Sequence, residues 1–360
     1  MARTARLGWF GTRPTRTVSR WQAAGLAWVA VAVVLLFTNG WNTDFDFLWY
    51  SARFLLEGTN PYLRAHEISY WPLYYPLPAV LVAVPFALPP LTVARYLWQL
   101  VVAGAFAWAM SGRGLWAMLA MASGAFLSAI VNGQSTPLMV AAVLIPALGF
   151  VLPMKPTSAI APWLAYPTRV AAYGALAMLA VSLAVMPHWP ADWWKSIHEG
   201  SSYIVPPITR PFGWVLLLAA LRWRDPRGRL ILGLALAPQN LFLHETVALA
   251  LVPRNFRQMS LYVVGTWIVL IASTQIQRPN SVDLNPQILA LWPWSLACIY
   301  LPMLWLVLRQ SAVNQDDKPP LDRDAMTDEQ RVRDVHHRFA EKKGEQQSPR
   351  SRIRRFFGLR

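Results

Sequence analysis

Hydrophobic residues fall along the chain in long runs, and polar or charged residues collect in the short intervals between them. The first run, Trp21 to Phe37, is long enough to cross the roughly 30 Å hydrocarbon core of a bilayer. A polar interval holding Asp44 and Asp46 follows, then an aromatic amphipathic stretch that Gly58 and Pro61 close. Further runs predict spans near Leu91–Ser111, Leu115–Val131, Pro137–Leu152, Val170–Met186, Pro211–Leu221 and Leu230–Pro238. Three more pass His244 to Pro253, cover Leu261–Thr274, and cover Ile288–Leu308. The stretch Ala79–Leu88 is apolar but short, and Pro85, Pro89 and Pro90 break it, so it reads as a juxtamembrane or re-entrant helix. Pro146, Pro153, Pro156, Pro162 and Pro167 likewise predict that Pro153–Pro167 is broken and is no full span. The pattern predicts an all-α polytopic membrane protein of about ten spans, with a long first outer loop carrying juxtamembrane helices.

Charge gives this pattern a direction. Arginines mark the N-terminal arm, Arg113, Arg169, the Arg222–Arg229 interval, and Arg254 with Arg257. Basic flanks belong to the cytoplasmic side, which places both termini inside and the Asp44 loop outside. The expected organisation is a basic cytoplasmic arm (1–20), a transmembrane domain (21–310, with its outer loop at 41–90) and a largely disordered basic tail (311–360). Within the tail, Thr327–Lys343 can form one helix. The last ten residues mix basic and aromatic side chains, which suits an anionic leaflet or plain solvent. The first hydrophobic run lacks a cleavage-site pattern and reads as a retained helix.

Composition agrees: the 360 residues are 55% hydrophobic and 14% charged, against roughly 25% charged in soluble domains. The net charge of +15 lies largely in membrane flanks and tail, so it does not call for nucleic acid as a partner. The single cysteine, Cys298, lies in an apolar run and allows neither a disulfide framework nor a Cys metal site. The expected location is the cell membrane, multi-pass.

The stretch Asp44-Phe45-Asp46-Phe47, followed by Leu55-Leu56-Glu57-Gly58-Thr59-Asn60-Pro61-Tyr62, resembles the first outer loop of GT-C superfamily glycosyltransferases. It is most similar to the bacterial mannosyltransferase-like family that uses polyprenyl-phosphate sugars. Gly133-Gln134, Lys155-Pro156 and His244-Glu245-Thr246 with Pro253 follow in the family's order, although the Gln134–Lys155 interval is shorter than usual. The resemblance implies a GT-C-type helical bundle that moves a hexose, mannose by analogy, from a polyprenyl phosphate to a lipid or glycan acceptor at the outer face. It implies Asp44 as the catalytic residue, and Gln134, Lys155 and His244 at the donor. No cofactor is implied. Asp44 and Asp46 can share a divalent metal but make no complete ligand set.

The residue types suit that chemistry. An acceptor hydroxyl must lose its proton as it attacks the anomeric carbon, and a carboxylate in hydrogen-bond reach removes it as general base. The departing lipid phosphate needs charge stabilisation, which Lys, His or an amide can supply. Attack of this kind inverts the anomeric centre. Asp46, Tyr62 and Tyr75, with Tyr70, Trp71 and Tyr74, are candidate sugar or acceptor contacts. Plainer roles stand beside these: Asp44 or Asp46 as helix N-cap, Arg53–Glu57 as a helix-surface pair, Gln134 as a cap, Lys155 as a cytoplasmic flank, and His244 hydrogen-bonded to Glu245. A rival for the whole chain is a secondary transporter for a small polar solute, since broken helices and intramembrane His244 and Glu245 fit one.

Overall fold

The computed structural model describes residues 20–38, 43–68, 72–200, 204–276 and 284–309. The basic arm before Arg20, Tyr70, Trp71, residues 277–283 of the Arg278 loop and the tail with Thr327–Lys343 lie outside them. The described residues are helical, and their one extended pairing is an isolated bridge between Val205 and Gln239.

In chain order the α-helices are α1 (Arg20–Thr38), α2 (Asp44–Leu56), α3 (Leu77–Ala83), α4 (Leu91–Ser111), α5 (Gly124–Val131), α6 (Thr136–Leu144) and α7 (Pro156–Ala165). They continue as α8 (Arg169–Val185), α9 (Trp189–Gly200), α10 (Pro226–Leu236), α11 (Phe256–Gln275), α12 (Asn285–Ser295) and α13 (Leu301–Arg309). A π-helical turn, Leu296–Tyr300, makes Asn285–Arg309 one continuous rod. That rod, α1, α4 and α11 are long and apolar enough to cross a membrane. Two bent pairs, α5 with α6 at 116° and α8 with α9 at 97°, bring the number to at most six, if each pair counts as one broken span. The expectation of about ten spans is met only that far.

The remaining apolar runs are short, and several are 3-10 helices: Leu115–Ala122, Pro146–Met154, Gly213–Arg222 and Leu243–Leu251. A 3-10 helix rises about 2.0 Å per residue against 1.5 Å for an α-helix, so these segments reach further than their residue count suggests. In the next stretch α7 stops at Ala165 and Tyr166-Pro167 separates it from α8, whereas Pro153 and Pro162, expected to break the chain, lie inside helices.

Arginines gather at one end of the bundle and satisfy helix C-termini. Arg113 donates to the carbonyls of Ala250, Leu251 and Pro253 at 3.0–3.1 Å. Arg229 donates to Leu164 and Ala165 at 3.0 and 2.9 Å, and Arg222 to Leu308 at 3.0 Å. These are the orphan carbonyls that every helix leaves at its last turn. Arg20 lies over the ring of Trp108, so α1 begins at this same end and runs antiparallel to α4. Arg20, Arg113, Arg222 and Arg229 thus all serve helix ends at this end of the bundle.

Candidate functional site

The site begins where α2 starts. Thr43, not Asp44 or Asp46, is the N-cap, in extended conformation, and Asp46 completes a capping box from the third helical position. Its carboxylate accepts from the Thr43 N–H and hydroxyl, both at 2.9 Å. It also accepts from Arg95 of α4, Nε at 2.8 Å and Nη2 at 2.7 Å. Asp46 is only 5% exposed, so it is a buried structural anion and not an acceptor contact. Arg53 and Glu57 are likewise not paired: Arg53 lies over the Trp49 ring, and Glu57 meets Arg64 at 2.7 Å.

Two positions along, Asp44 faces the other way. Its backbone N–H donates to the Asn132 carbonyl at 3.0 Å, tying α2 to the turn between α5 and α6. Gly133 in that turn has φ +68°, and a Cβ there would lie 2.8 Å from Thr43 and 3.1 Å from Phe45. Only glycine allows both the left-handed backbone and this approach. Trp98 holds the same turn by donating to the Gly133 carbonyl at 3.2 Å. Gln134, 1% exposed, is thereby aimed at Asp44, and its amide donates to Oδ2.

Lys155 closes on the same point. Its Nζ lies 2.8 Å from Gln134 Oε1 and 3.5 Å from the Thr136 hydroxyl. If α6 and the Pro146–Met154 helix were collinear, their nine residues each would carry Lys155 about 30 Å away. The contact therefore requires that they fold back on one another at Ile145, where φ is −121° and ψ 86°. Pro137–Leu152 is a helical hairpin, not the span that its hydropathy suggests. The short Gln134–Lys155 interval is what returns the lysine to the site, so Lys155 is no cytoplasmic flank.

On its far side Lys155 meets Glu245 Oε1 at 2.6 Å, and Ser158, one turn into α7, donates to Glu245 Oε2 at 2.5 Å. Glu245 opens the Leu243–Leu251 helix, reached through Leu241 at a left-handed φ of 58°, a conformation that costs a non-glycine residue about 1–2 kcal/mol. His244 is buried beside it, with Nε2 3.6 Å from Glu245 Oε1, too far for a hydrogen bond, and without another partner. The expected His244–Glu245 hydrogen bond is therefore not made, because Lys155 and Ser158 take the carboxylate.

The aromatic loop roofs this cluster. Tyr75 donates from its hydroxyl to Asp44 Oδ2 at 3.2 Å. Tyr62 does not reach the cluster; it is 6% exposed and donates to the Tyr75 carbonyl at 3.2 Å, so it supports the loop and is no sugar contact here. The amphipathic α9 braces the loop, with Asp192 accepting from Asn60 and Trp193 donating to the Tyr74 carbonyl, both at 2.8 Å.

Asp44 Oδ2 thus accepts both hydrogen bonds, while Oδ1 accepts none among the described residues. Burial holds the carboxyl above its ordinary value, against the opposing pull of Lys155 and of the Gln134 and Tyr75 hydrogen bonds. Depth follows from helix lengths. The ten residues of α7 span about 15 Å and the nine of Leu243–Leu251 about 18 Å; both run from this cluster to the arginine end. The Lys155–Glu245 part of the cluster therefore lies about 15–18 Å from the arginine end.

Asp44, Gln134, Lys155, His244 and Tyr75 are brought together, and Asp46 and Tyr62 are set aside. Reading the sequence passed over Ser158, Thr136 and Arg95. Arg95 carried a signal, as an ionisable residue inside an apolar run. Among the described residues no three His, Cys, Asp or Glu side chains cluster as metal ligands do. No family model, curated protein or solved structure matches the chain.

Proposed function

We propose that this protein is a membrane-embedded glycosyltransferase of GT-C type, its bundle completed to about ten crossings by the short 3-10 and α segments. It moves a hexose, mannose by resemblance, from a polyprenyl phosphate to a lipid or glycan acceptor, with inversion, on the outer side of the cell membrane. The observation that supports it most is the Asp44 carboxylate. One oxygen is fixed by Gln134 and Tyr75, and the other accepts no hydrogen bond among the described residues. A base needs this arrangement: an orientation held by one oxygen and a free oxygen to take the acceptor proton. The raised proton affinity of Asp44 strengthens it as a base.

The proton leaves the acceptor hydroxyl for Asp44 Oδ1 as the new glycosidic bond forms, and the lipid phosphate departs with the electron pair of the broken bond. Lys155 supplies positive charge to that phosphate, sharing its donors with Gln134 and Glu245. His244 Nε2 supplies a further hydrogen-bonding atom. With purified protein and a panel of polyprenyl-phosphate sugars, the wild type should transfer sugar to a lipid acceptor. Asp44→Asn should be slower by about 10²–10⁴-fold. Full transfer activity in Asp44→Asn would remove Asp44 from the mechanism.

One observation favours the second reading. The lysine is already neutralised by Glu245, and a buried Lys–Glu–His group suits a secondary transporter for a small polar solute. Solute uptake into proteoliposomes, with no sugar transfer, would put that reading in place of the first.

A further inference from the structure

A recess with a polar floor lies on the opposite face of the α2 N-terminus. It is a narrow groove between the outer ends of α1, α4 and α5, walled by Leu35, Tyr96, Ile130 and Val131 and floored by Arg95 and Gln99. Gln99 is 2% exposed, and its Oε1 is buried without a hydrogen-bond partner. Buried polar atoms are rarely left in this state, and an absent partner is an ordinary explanation. One turn away, Arg95 spends Nε and Nη2 on Asp46, while Nη1 has no hydrogen bond among the described residues. The groove thus presents an open guanidinium edge, which wants an anion, four positions from a carbonyl oxygen, which wants a donor.

Depth narrows the occupant. Arg95 lies four residues from the start of α4, about 6 Å along its axis. α4 is long enough to cross the whole hydrocarbon core, so Arg95 falls at the level of lipid headgroups. Beside the groove, Leu36 and Phe37 of α1 are 70% and 80% exposed, as lipid-facing side chains are. We infer that the groove binds an anionic phospholipid whose headgroup carries both a phosphate and a hydroxyl. The phosphate lies against Arg95 Nη1, a hydroxyl donates to Gln99 Oε1, and the acyl chains run along α1. This site is separate from the Asp44–Lys155 cluster and does not depend on the transfer reading.

The test uses the full chain, purified in mixed micelles, with dioleoylphosphatidylglycerol as probe and binding read by native mass spectrometry and thermal shift. Dioleoylphosphatidylcholine keeps the phosphate but has no hydroxyl donor, dioleoylglycerol lacks the phosphate, and glycerol 3-phosphate is the headgroup without chains. Phosphatidylglycerol should bind and raise the melting temperature; the other three should do so weakly or not at all. Gln99→Leu should weaken phosphatidylglycerol binding by about tenfold or more, as loss of a hydrogen bond beside a charge does. Without lipid, Gln99→Leu should melt at or above the wild type, because a buried unpaired carbonyl is gone, so lost binding cannot be ascribed to misfolding. Equal binding by Gln99→Leu, or equal binding of phosphatidylcholine, would overturn the site. Equal stabilisation by glycerol 3-phosphate would overturn its lipid character.

Discussion

Lys155 and Gln134 touch, Nζ to Oε1 at 2.8 Å, although the chain between them first leaves the site and then returns. The hairpin that joins them makes Gln134 a bridge, with its amide nitrogen on Asp44 and its amide oxygen on Lys155. An amide can bridge a carboxylate and an ammonium because it carries a donor and an acceptor on one rigid plane. The arrangement links the candidate base to the candidate phosphate ligand through one side chain.

The Lys155–Glu245 pair is buried, with side chains 11% and 2% exposed. Removing one partner leaves an uncompensated charge in low dielectric, which costs about 3–5 kcal/mol. Lys155→Met alone should therefore destabilise strongly, and Lys155→Met with Glu245→Gln should recover most of the loss. Denaturation in detergent across the four members of the cycle gives the coupling. Additive single effects would mean that the two groups do not compensate each other.

Gly133→Ala should cost about 1–2 kcal/mol for the left-handed backbone. Crowding against Thr43 adds about 1–3 kcal/mol. The substitution should also push α2 away from the turn, breaking the Asn132–Asp44 backbone bond, so turnover should fall with stability. The check is the melting temperature together with activity per folded molecule. A Gly133→Ala protein as stable as the wild type would contradict the close approach.

Asp46→Ala should unfold the start of α2 rather than abolish chemistry. It strands Arg95, whose side chain is 13% exposed, and removes the capping box, for a loss of about 3–5 kcal/mol. Whatever protein remains folded should keep substantial activity, because Asp46 points away from the cluster. Measuring active fraction and turnover separately distinguishes this from a catalytic defect.

Four of the expected spans were legible because hydropathy acts on whole segments: α1, α4, α11 and Asn285–Arg309 fall where the apolar runs do. The hairpin was not legible, since a reversal at Ile145 leaves the hydropathy of Pro137–Leu152 unchanged; the run is equally apolar straight or folded. The site followed the same division. Asp44, Gln134, Lys155 and His244 carried motif signals, whereas the separation of Asp44 from Asp46 depended on helix phase, which places residues two apart on opposite faces. Ser158 could have been found as the residue one turn after a proline-started helix that begins at Lys155.

Asp44 sets stability against function, and its pH dependence should show this. The ordinary carboxyl value is 3.8, and burial raises it in the folded protein. The folded state therefore holds the proton more tightly than the unfolded chain. Its contribution is favourable at low pH and is lost as pH rises from the unfolded value through the folded one. At neutral pH the ionised, partly desolvated carboxylate is a net cost to the fold. Asp44→Asn, which keeps the size and the Tyr75 bond but carries no charge, should melt above the wild type at neutral pH. The difference should shrink when both are measured below the unfolded value. The rate should follow the reverse course in the wild type, with an acid limb set above the usual carboxylate range, because only the ionised form accepts the acceptor proton. Melting curves of both proteins across pH, with a pH–rate profile of the wild type, test the two together. An Asn variant less stable than the wild type at neutral pH would show that Asp44 is a structural anion, as Asp46 is.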